Sequence, residues 1–272
     1  MQSIRLENNV EIPIIGLGVF KSNTGSETEQ AVLWAFESGY THIDTAMIYQ
    51  NEESVGTALA KAPLPREKIF LTTKLWNDDI RKHRAKDAFQ ESLDKLQTAY
   101  VDLYLLHWPV DGRNEAWTDL EELYNAGKIK AIGVSNFHKN HLEELFKSAK
   151  IMPMVNQIES HPYFNNQELI DFCHSKNIAV QAWSPLGGEG APILKDETII
   201  ALAEKYNKTA VQIILRWNIQ RNVIILPKSV NKDRIASNIQ AFDFELSADD
   251  MNKINNLNKN QRVGPNPDTF DF

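Results

Sequence analysis

The chain has 272 residues, 42% of them hydrophobic and 24% charged, with a formal net charge of −7. That length suits a single α/β domain over residues 1–272, and the acidic balance excludes the basic face of a nucleic-acid binder, though not a local pocket for an anion. No apolar stretch approaches the ~18 residues of a membrane span, and the opening run MQSIRLENNVEIP lacks the basic start and apolar core of a signal peptide, so a cytoplasmic protein without membrane contact is expected.

In chain order, two short extended pieces flank Glu7-Asn8-Asn9 and read as a hairpin that caps one end of the fold. Eight apolar runs follow, at 14–20, 41–46, 69–75, 102–108, 131–136, 154–159, 178–184 and 223–228. Most are continuous rather than alternating, as parallel strands buried on both faces are. Between them lie helical patterns. Ala85, Ala88, Phe89, Ser92, Leu93 and Leu96 form one stripe in 82–97, and Leu142, Leu145, Phe146 and Ala149 form another in 141–149. Gly39 and Gly127 suit left-handed C-caps, Asn231 an N-cap, and Ser247 with Asp250 a capping box. The lone Cys173, inside a helical run at 167–176, reads as a small buried thiol. Strand–helix alternation over the whole length, without a Rossmann glycine fingerprint, predicts an α/β fold, a (β/α)8 TIM barrel with an N-terminal β-hairpin cap, rather than an open doubly wound sheet.

Active sites of such barrels lie where the strands end, so the polar residues there carry the information. The second run ends in Asp44 and leads to Tyr49, the third ends near Lys74, and the fourth at His107. The fifth ends in Ser135 and Asn136, the sixth in Gln157 and Glu159, the seventh in Trp183 and Ser184, and the eighth in Lys228 and Ser229. Each alone has a structural explanation as a cap, a surface cation or a core histidine. Together they set an acid, a base, a phenol and an imidazole on neighbouring stations of one rim. Proton donation to a carbonyl oxygen is the chemistry this set suits. Lys74 would lower the pKa of the Tyr49 phenol, Asp44 would hold Lys74 charged, and His107 would position the substrate oxygen.

These motifs resemble the aldo-keto reductase superfamily. The matching blocks are Gly16-Leu17-Gly18, His42-Ile43-Asp44-Thr45-Ala46, Tyr49-Gln50-Asn51-Glu52, Lys74-Leu75-Trp76, Leu105-Leu106-His107-Trp108-Pro109 and Ile132-Gly133-Val134-Ser135-Asn136-Phe137. Asn156-Gln157, Trp183-Ser184-Pro185-Leu186 and Leu226-Pro227-Lys228-Ser229-Val230 complete the series. The chain looks most like the short bacterial-type members, 2,5-diketogluconate reductases and glyoxal or methylglyoxal reductases, whose tails the segment Arg262-Val263-Gly264-Pro265-Asn266-Pro267-Asp268 resembles. The resemblance implies the tetrad Asp44, Tyr49, Lys74 and His107, a nicotinamide cofactor, and a monomer, which is the family's commoner habit.

For the cofactor, the resemblance puts Ser135, Asn136 and Gln157 on the nicotinamide carboxamide and Trp183 against the ring. Ser184, Leu186, Lys228, Ser229, Val230, Arg234 and Asn238 complete the expected contacts. Arg234, read as lying on the first turn of a helix, together with Lys228 suits a 2′-phosphate, so NADPH (NADP+) is expected over NADH. The family usually has a glutamate where Ser237 stands, which puts the adenine contact in question. The loop Gly187-Gly188-Glu189-Gly190 reads as a flap over the pyrophosphate or a plain flexible connection.

Phe20, Ile48, Trp76, His107 and Trp108 would line the substrate space, and a short loop after Trp108 with a tail ending at Phe272 predicts an open mouth that tolerates aldehydes and α-dicarbonyls. Two other readings compete. A non-catalytic nicotinamide-binding module on the same scaffold should lack an intact tetrad. A different barrel enzyme, an isomerase or metal-dependent hydrolase, should show a carboxylate base without a tyrosine or a cluster of metal ligands, and no metal site is expected.

Overall fold

The structure is a computed structural model that describes residues 2–188 and 190–270. Met1, Glu189, Asp271 and Phe272 lie outside the described residues, so the glycine-rich loop is described only at Gly187, Gly188 and Gly190, and the chain end at Phe272 is not. β1 (Ser3–Arg5) and β2 (Glu11–Pro13) pair antiparallel with Ile4 opposite Ile12, forming the expected hairpin. The apolar runs become β3 (Leu17–Gly18), β4 (His42–Asp44), β5 (Phe70–Leu75), β6 (Val101–Leu106), β7 (Ile129–Ser135), β8 (Val155–Glu159), β9 (Ala179–Trp183) and β10 (Val223–Ile225), one parallel sheet in sequence order.

The two edges of this sheet meet. Ile15 bridges Ile225, Gly18 bridges Lys228, and the Gly16 N–H donates to Ile225 O at 2.9 Å. The sheet is thereby closed into the (β/α)8 barrel, whose rim has no free edge. β10 stops at Ile225, short of the expected 228, because Pro227 has no N–H with which to extend the ladder. Gly16 is required at this seam: a Cβ there would lie 2.7 Å from the His42 ring.

Helices cover the outside: α1 (Ser26–Glu37), α2 (Glu52–Ala60), α3 (Asn77–Arg81), α4 (Ala85–Leu96), α5 (Arg113–Asn125), α6 (Lys139–Leu145), α7 (Gln167–Ser175), α8 (Glu197–Tyr206), α9 (Ala210–Gln220), α10 (Lys232–Asn238) and α11 (Ala248–Asn255). The stripe read in α4 is the face it buries, all six residues of it, and each large apolar side chain such as Phe89 contributes ~1.5–3 kcal/mol. α6 ends at Leu145, four residues short of the expected 149, and Phe146 and Ala149 pack on the core from beyond it. Gly39 and Gly127 take φ of 92° and 72° after α1 and α5, and Asn231 caps α10 by accepting from Arg234 N–H at 3.0 Å. At α11 the expected capping box is only half formed. Ser247 accepts from Asp250 N–H, but the Asp250 carboxylate is taken by Lys205, Tyr206 and Lys253, and the Ser247 N–H donates to the Tyr206 hydroxyl.

Asn8 at the hairpin turn donates to Lys130 O at 2.8 Å, near the start of β7. The hairpin therefore covers the end where the strands begin and leaves the opposite rim open. Among the described residues no helix is long and apolar enough to cross a membrane. Cys173 lies fully buried in α7, and burial pushes its thiol up to about 11.

Candidate active site

Register places the polar strand ends beside one another. Asp44 ends β4, Lys74 sits on β5, and His107 follows β6, its N–H bonded to Leu75 O. Tyr49 reaches the same place on a single 3-10 turn, Met47–Tyr49, closed by Gln50 in the left-handed region. Asn51 fixes that turn: it accepts from Thr45 Oγ1 at 2.8 Å and donates to Val19 O at 2.9 Å and Ser22 O at 3.3 Å, tying it to the loop that carries Phe20. Glu52 anchors α2 through hydroxyl donors Thr73 and Ser92, and burial raises its pKa.

Lys74 is wholly buried, and its Nζ donates to Asp44 Oδ1 at 2.7 Å, to Thr45 O at 2.8 Å and to the Tyr49 hydroxyl at 3.4 Å. Burial pulls its pKa down, but the Asp44 carboxylate and Tyr49 outweigh that and the net direction is up, so the ammonium stays charged. For Tyr49 the balance differs from the sequence reading. Burial raises the phenol more than Lys74 lowers it, Asp44 raises it further, and the net direction is upward. The hydroxyl therefore keeps its proton across the neutral range. His107 is driven well below the ordinary histidine value, first by burial and then by the charge of Lys74, so its ring is neutral. Its Nδ1 is buried and unpartnered.

The amides behind Asp44 are already engaged. Gln157 donates from Nε2 to Asp44 Oδ2 at 2.8 Å and to Gln181 Oε1 at 3.0 Å, which uses both hydrogens and leaves Oε1 as its pole for a ligand. Asn136, at φ 64°, donates to His107 O and to Ser135 Oγ, and accepts the Trp183 Nε1–H at 2.8 Å; Ser135 donates to Gln157 O. A ligand amide at Ser135 or Asn136 must share these bonds. Trp183 is half-buried at the end of β9, pinned by Asn136.

Farther along the rim, Ser184 takes φ 46° and its carbonyl accepts from Gly187 N–H, a turn that carries the half-buried Leu186. Ser229 Oγ accepts from Asn231 N–H, Val230 is half-buried, and Asn238 is buried at the end of α10. Lys228 and Arg234 are exposed. The Arg234 N–H counted on for an anion is taken by the Asn231 cap, so the guanidinium, rather than the helix end, is what Arg234 offers. Ser237 accepts from Gln212 Nε2 through both its carbonyl and its hydroxyl, and so is held against α9.

The expected substrate residues form a chain of rings. Phe20, 53% exposed, lies 4.9 Å from Tyr49, Tyr49 packs edge-on to His107 at 5.8 Å, and His107 packs edge-on to Trp76 at 5.3 Å. Ile48 is exposed beside them. Trp108 is buried, and beside it the mouth is less open than the short loop and tail predicted: Phe270 of the tail stacks on it at 4.0 Å with 4° between planes. The tail thus supplies a wall that the sequence reading did not assign, and its only sequence signal is an aromatic residue in a polar terminus.

Two histidine groups bear on the competing readings. His42 is buried with Nδ1 against Pro13 O and Nε2 against Thr72 Oγ1, and burial lowers it to about 4; it has no nitrogen left for a metal. Among the described residues His138, His141 and Asp268 are close enough to share an ion. Their second contacts oppose it: His138 Nε2 faces the Arg262 donor at 3.0 Å, and His141 Nδ1 accepts the His138 N–H at 3.1 Å. Each proton is thereby set on the nitrogen that points at Asp268, where a metal-bound imidazole needs the reverse.

The family model described as "Aldo/keto reductase family" matches residues 14–259. The chain is 49% identical to the glyoxal reductase of Bacillus subtilis (strain 168) over 271 residues, covering 99% of this chain and 98% of that one. A solved aldo-keto reductase enzyme from a Medee basin deep-sea metagenome library superposes with a TM-score of 0.97 at 44% identity, covering 99% of this chain and 100% of that one. The Bombyx mori aldo-keto reductase in complex with NADP does so with a TM-score of 0.92 at 41% identity, covering 98% and 96%.

Proposed function

The chain belongs to the aldo/keto reductase family, and from that premise we propose that it reduces small aldehydes and α-dicarbonyls to alcohols with NADPH, using Tyr49 as the proton donor. The observation that carries this reading is the buried Lys74 ammonium held between Asp44 and the Tyr49 hydroxyl, beside a neutral His107. The residues of the rim fit the cofactor. Trp183 offers a half-buried indole, Gln157 an uncommitted carbonyl oxygen, and Lys228 and Arg234 two exposed cations for a 2′-phosphate. Ser135, Asn136, Ser184, Leu186, Ser229, Val230 and Asn238 are the further contacts in this reading. Bound there, NADPH supplies the hydride for the carbonyl carbon.

The protein's own part is positioning and proton transfer. A carbonyl oxygen between Tyr49 and His107 receives a hydrogen bond from the imidazole, whose proton belongs on Nε2 because the buried Nδ1 finds no partner. As negative charge builds on that oxygen, the Tyr49 O–H bond breaks and its proton completes the alcohol. The phenolate left behind is stabilised by Lys74 at 3.4 Å, and Asp44 keeps that ammonium in place; solvent then returns the proton to Tyr49. Burial makes Tyr49 a reliable proton store and Lys74 makes it a usable acid. Phe20, Ile48, Trp76 and Trp108 supply the apolar walls, and a single domain over 1–272 acting as a monomer completes the proposal.

The test is NADPH consumption, followed by its absorbance, with glyoxal, methylglyoxal and simple aldehydes. Turnover of the dicarbonyls is expected. NADPH binding with no turnover across that panel would favour the non-catalytic module instead.

A further inference from the structure

The tail does more than wall the pocket. Glu159, at the end of β8, is 2% exposed, and its oxygens accept from Val263 N–H at 2.6 Å, Gly264 N–H at 3.1 Å and His161 Nε2 at 2.9 Å. A buried carboxylate with two successive backbone donors is a strong hold, because charge-assisted bonds are about twice as strong as neutral ones. It matters locally, since the side chain of Val263 packs little, while the rest of the tail is held by Arg262 over the Phe164 ring at 4.4 Å and by Phe270 on Trp108. Val263 is 47% exposed, and beneath it a cavity of about 210 Å³ reaches Gly187 and Ile193.

What Glu159 holds down is pressed against Trp183. A Cβ on Gly264 would lie 2.3 Å from the outer edge of the indole, so the tail backbone itself is in contact with the ring. Val263 packs over Gly188 in the same way, with a Cβ there 3.2 Å away. The indole thus has two fixed points: Asn136 on its Nε1 and the Gly264 backbone on its opposite edge. A hydrogen bond at one corner leaves a ring free to tilt about that corner; the second contact removes the tilt.

We infer that Glu159 is a positioning residue that, through the Val263 and Gly264 amides, sets the plane of Trp183 for the nicotinamide ring. The inference rests on the proposed cofactor site and deepens it. Only the ring end of the dinucleotide should sense the tail, because the adenine and 2′-phosphate end lies with Lys228, Arg234 and Asn238, away from Trp183 in sequence and element.

The test compares two ligands by binding alone: NADPH, and ADP-ribose 2′-phosphate, which lacks the nicotinamide. Gly264→Ala, at a part-exposed position of the tail, should weaken NADPH roughly three- to tenfold, the worth of an aromatic stack, and leave the fragment within about twofold. Glu159→Gln, which keeps size but turns one acceptor into a donor facing a backbone N–H, should show the same split. Should that buried substitution unfold the protein, Gly264→Ala decides alone. Unchanged NADPH affinity in Gly264→Ala overturns the inference, and so does an equal loss for both ligands, which would make the tail a general support of the rim. Wild-type protein that binds neither ligand would overturn the cofactor site first, and this inference with it.

Discussion

Gln157 donates an amide N–H to Asp44 at 2.8 Å, across the barrel interior and 113 residues of chain. It gives its other hydrogen to Gln181, whose own Nε2 is buried without a partner. The two glutamines are therefore unequal. Gln157→Leu strips a buried carboxylate of a donor and should cost about 1–3 kcal/mol, whereas Gln181→Leu removes one bond together with an orphaned donor and should cost less than about 1 kcal/mol. Urea unfolding of both variants measures this; equal losses would mean that the two glutamines hold the network alike.

Tyr49→Phe should abolish carbonyl reduction and leave NADPH affinity nearly intact. The hydroxyl is the proton donor, while the ring it leaves behind still packs on Phe20 and His107. Losing a general acid costs ~10²–10⁴-fold, so turnover within tenfold of wild type would remove Tyr49 from that role.

How much of this was legible in the sequence depends on how local each signal is. All eight barrel strands could be read because a parallel strand buried on both faces is a continuous apolar run, visible in itself. Asp44, Lys74 and His107 could be placed because strand ends share one rim. The net direction of the Tyr49 pKa could not, since it weighs burial against charge and burial is a property of the folded whole. Nor could the partners of Glu159, Gln181 and Phe270, which come from distant elements and follow no spacing rule. The half-formed box at Ser247 is a failure of reach: Asp is one methylene shorter than Glu, and three other donors claim its carboxylate.

Arg234→Ala should weaken NADPH binding about tenfold and leave NADH unchanged, since only NADPH carries the 2′-phosphate. The lower end of the range for a charged hydrogen bond applies because Arg234 is exposed and screened. The difference should therefore shrink at high salt. Equal losses for both cofactors would assign the arginine to the fold or the pyrophosphate.

His42 makes stability depend on pH in a defined window. Its ordinary value is 6.5 and burial lowers it to about 4, so between those values the unfolded chain binds a proton that the folded protein refuses. Stability from this source is complete above pH 6.5 and falls as the pH drops towards 4, by roughly 3 kcal/mol in all. His107 adds to the same slope. His42→Asn should remove one proton's share of it, ~1.4 kcal/mol per pH unit. If urea unfolding between pH 6 and pH 5 gives the same slope for variant and wild type, His42 is not held neutral.

Lys74 and Asp44 act on the Tyr49 hydroxyl in opposite senses. Burial raises the phenol, Lys74 lowers it through its charge and its hydrogen bond, and Asp44 raises it. Lys74→Met removes the lowering influence and leaves Asp44 buried and unpaired. Reduction should slow, because the phenolate formed by proton donation loses its counter-charge, and the basic limb of the pH profile should move up. Asp44→Asn removes a raising influence and leaves the ammonium free to swing from its 2.7 Å partner towards the phenol, so the limb should move down and the rate should fall less. The double variant should resemble Lys74→Met, since without the ammonium Asp44 has nothing to orient and residues that act as a unit are not additive. The measurement is kcat/KM against pH for the three variants. Shifts of the same sign in the two single variants, or rate losses that simply add, would reduce Lys74 and Asp44 to a structural ion pair and require another group to make Tyr49 acidic.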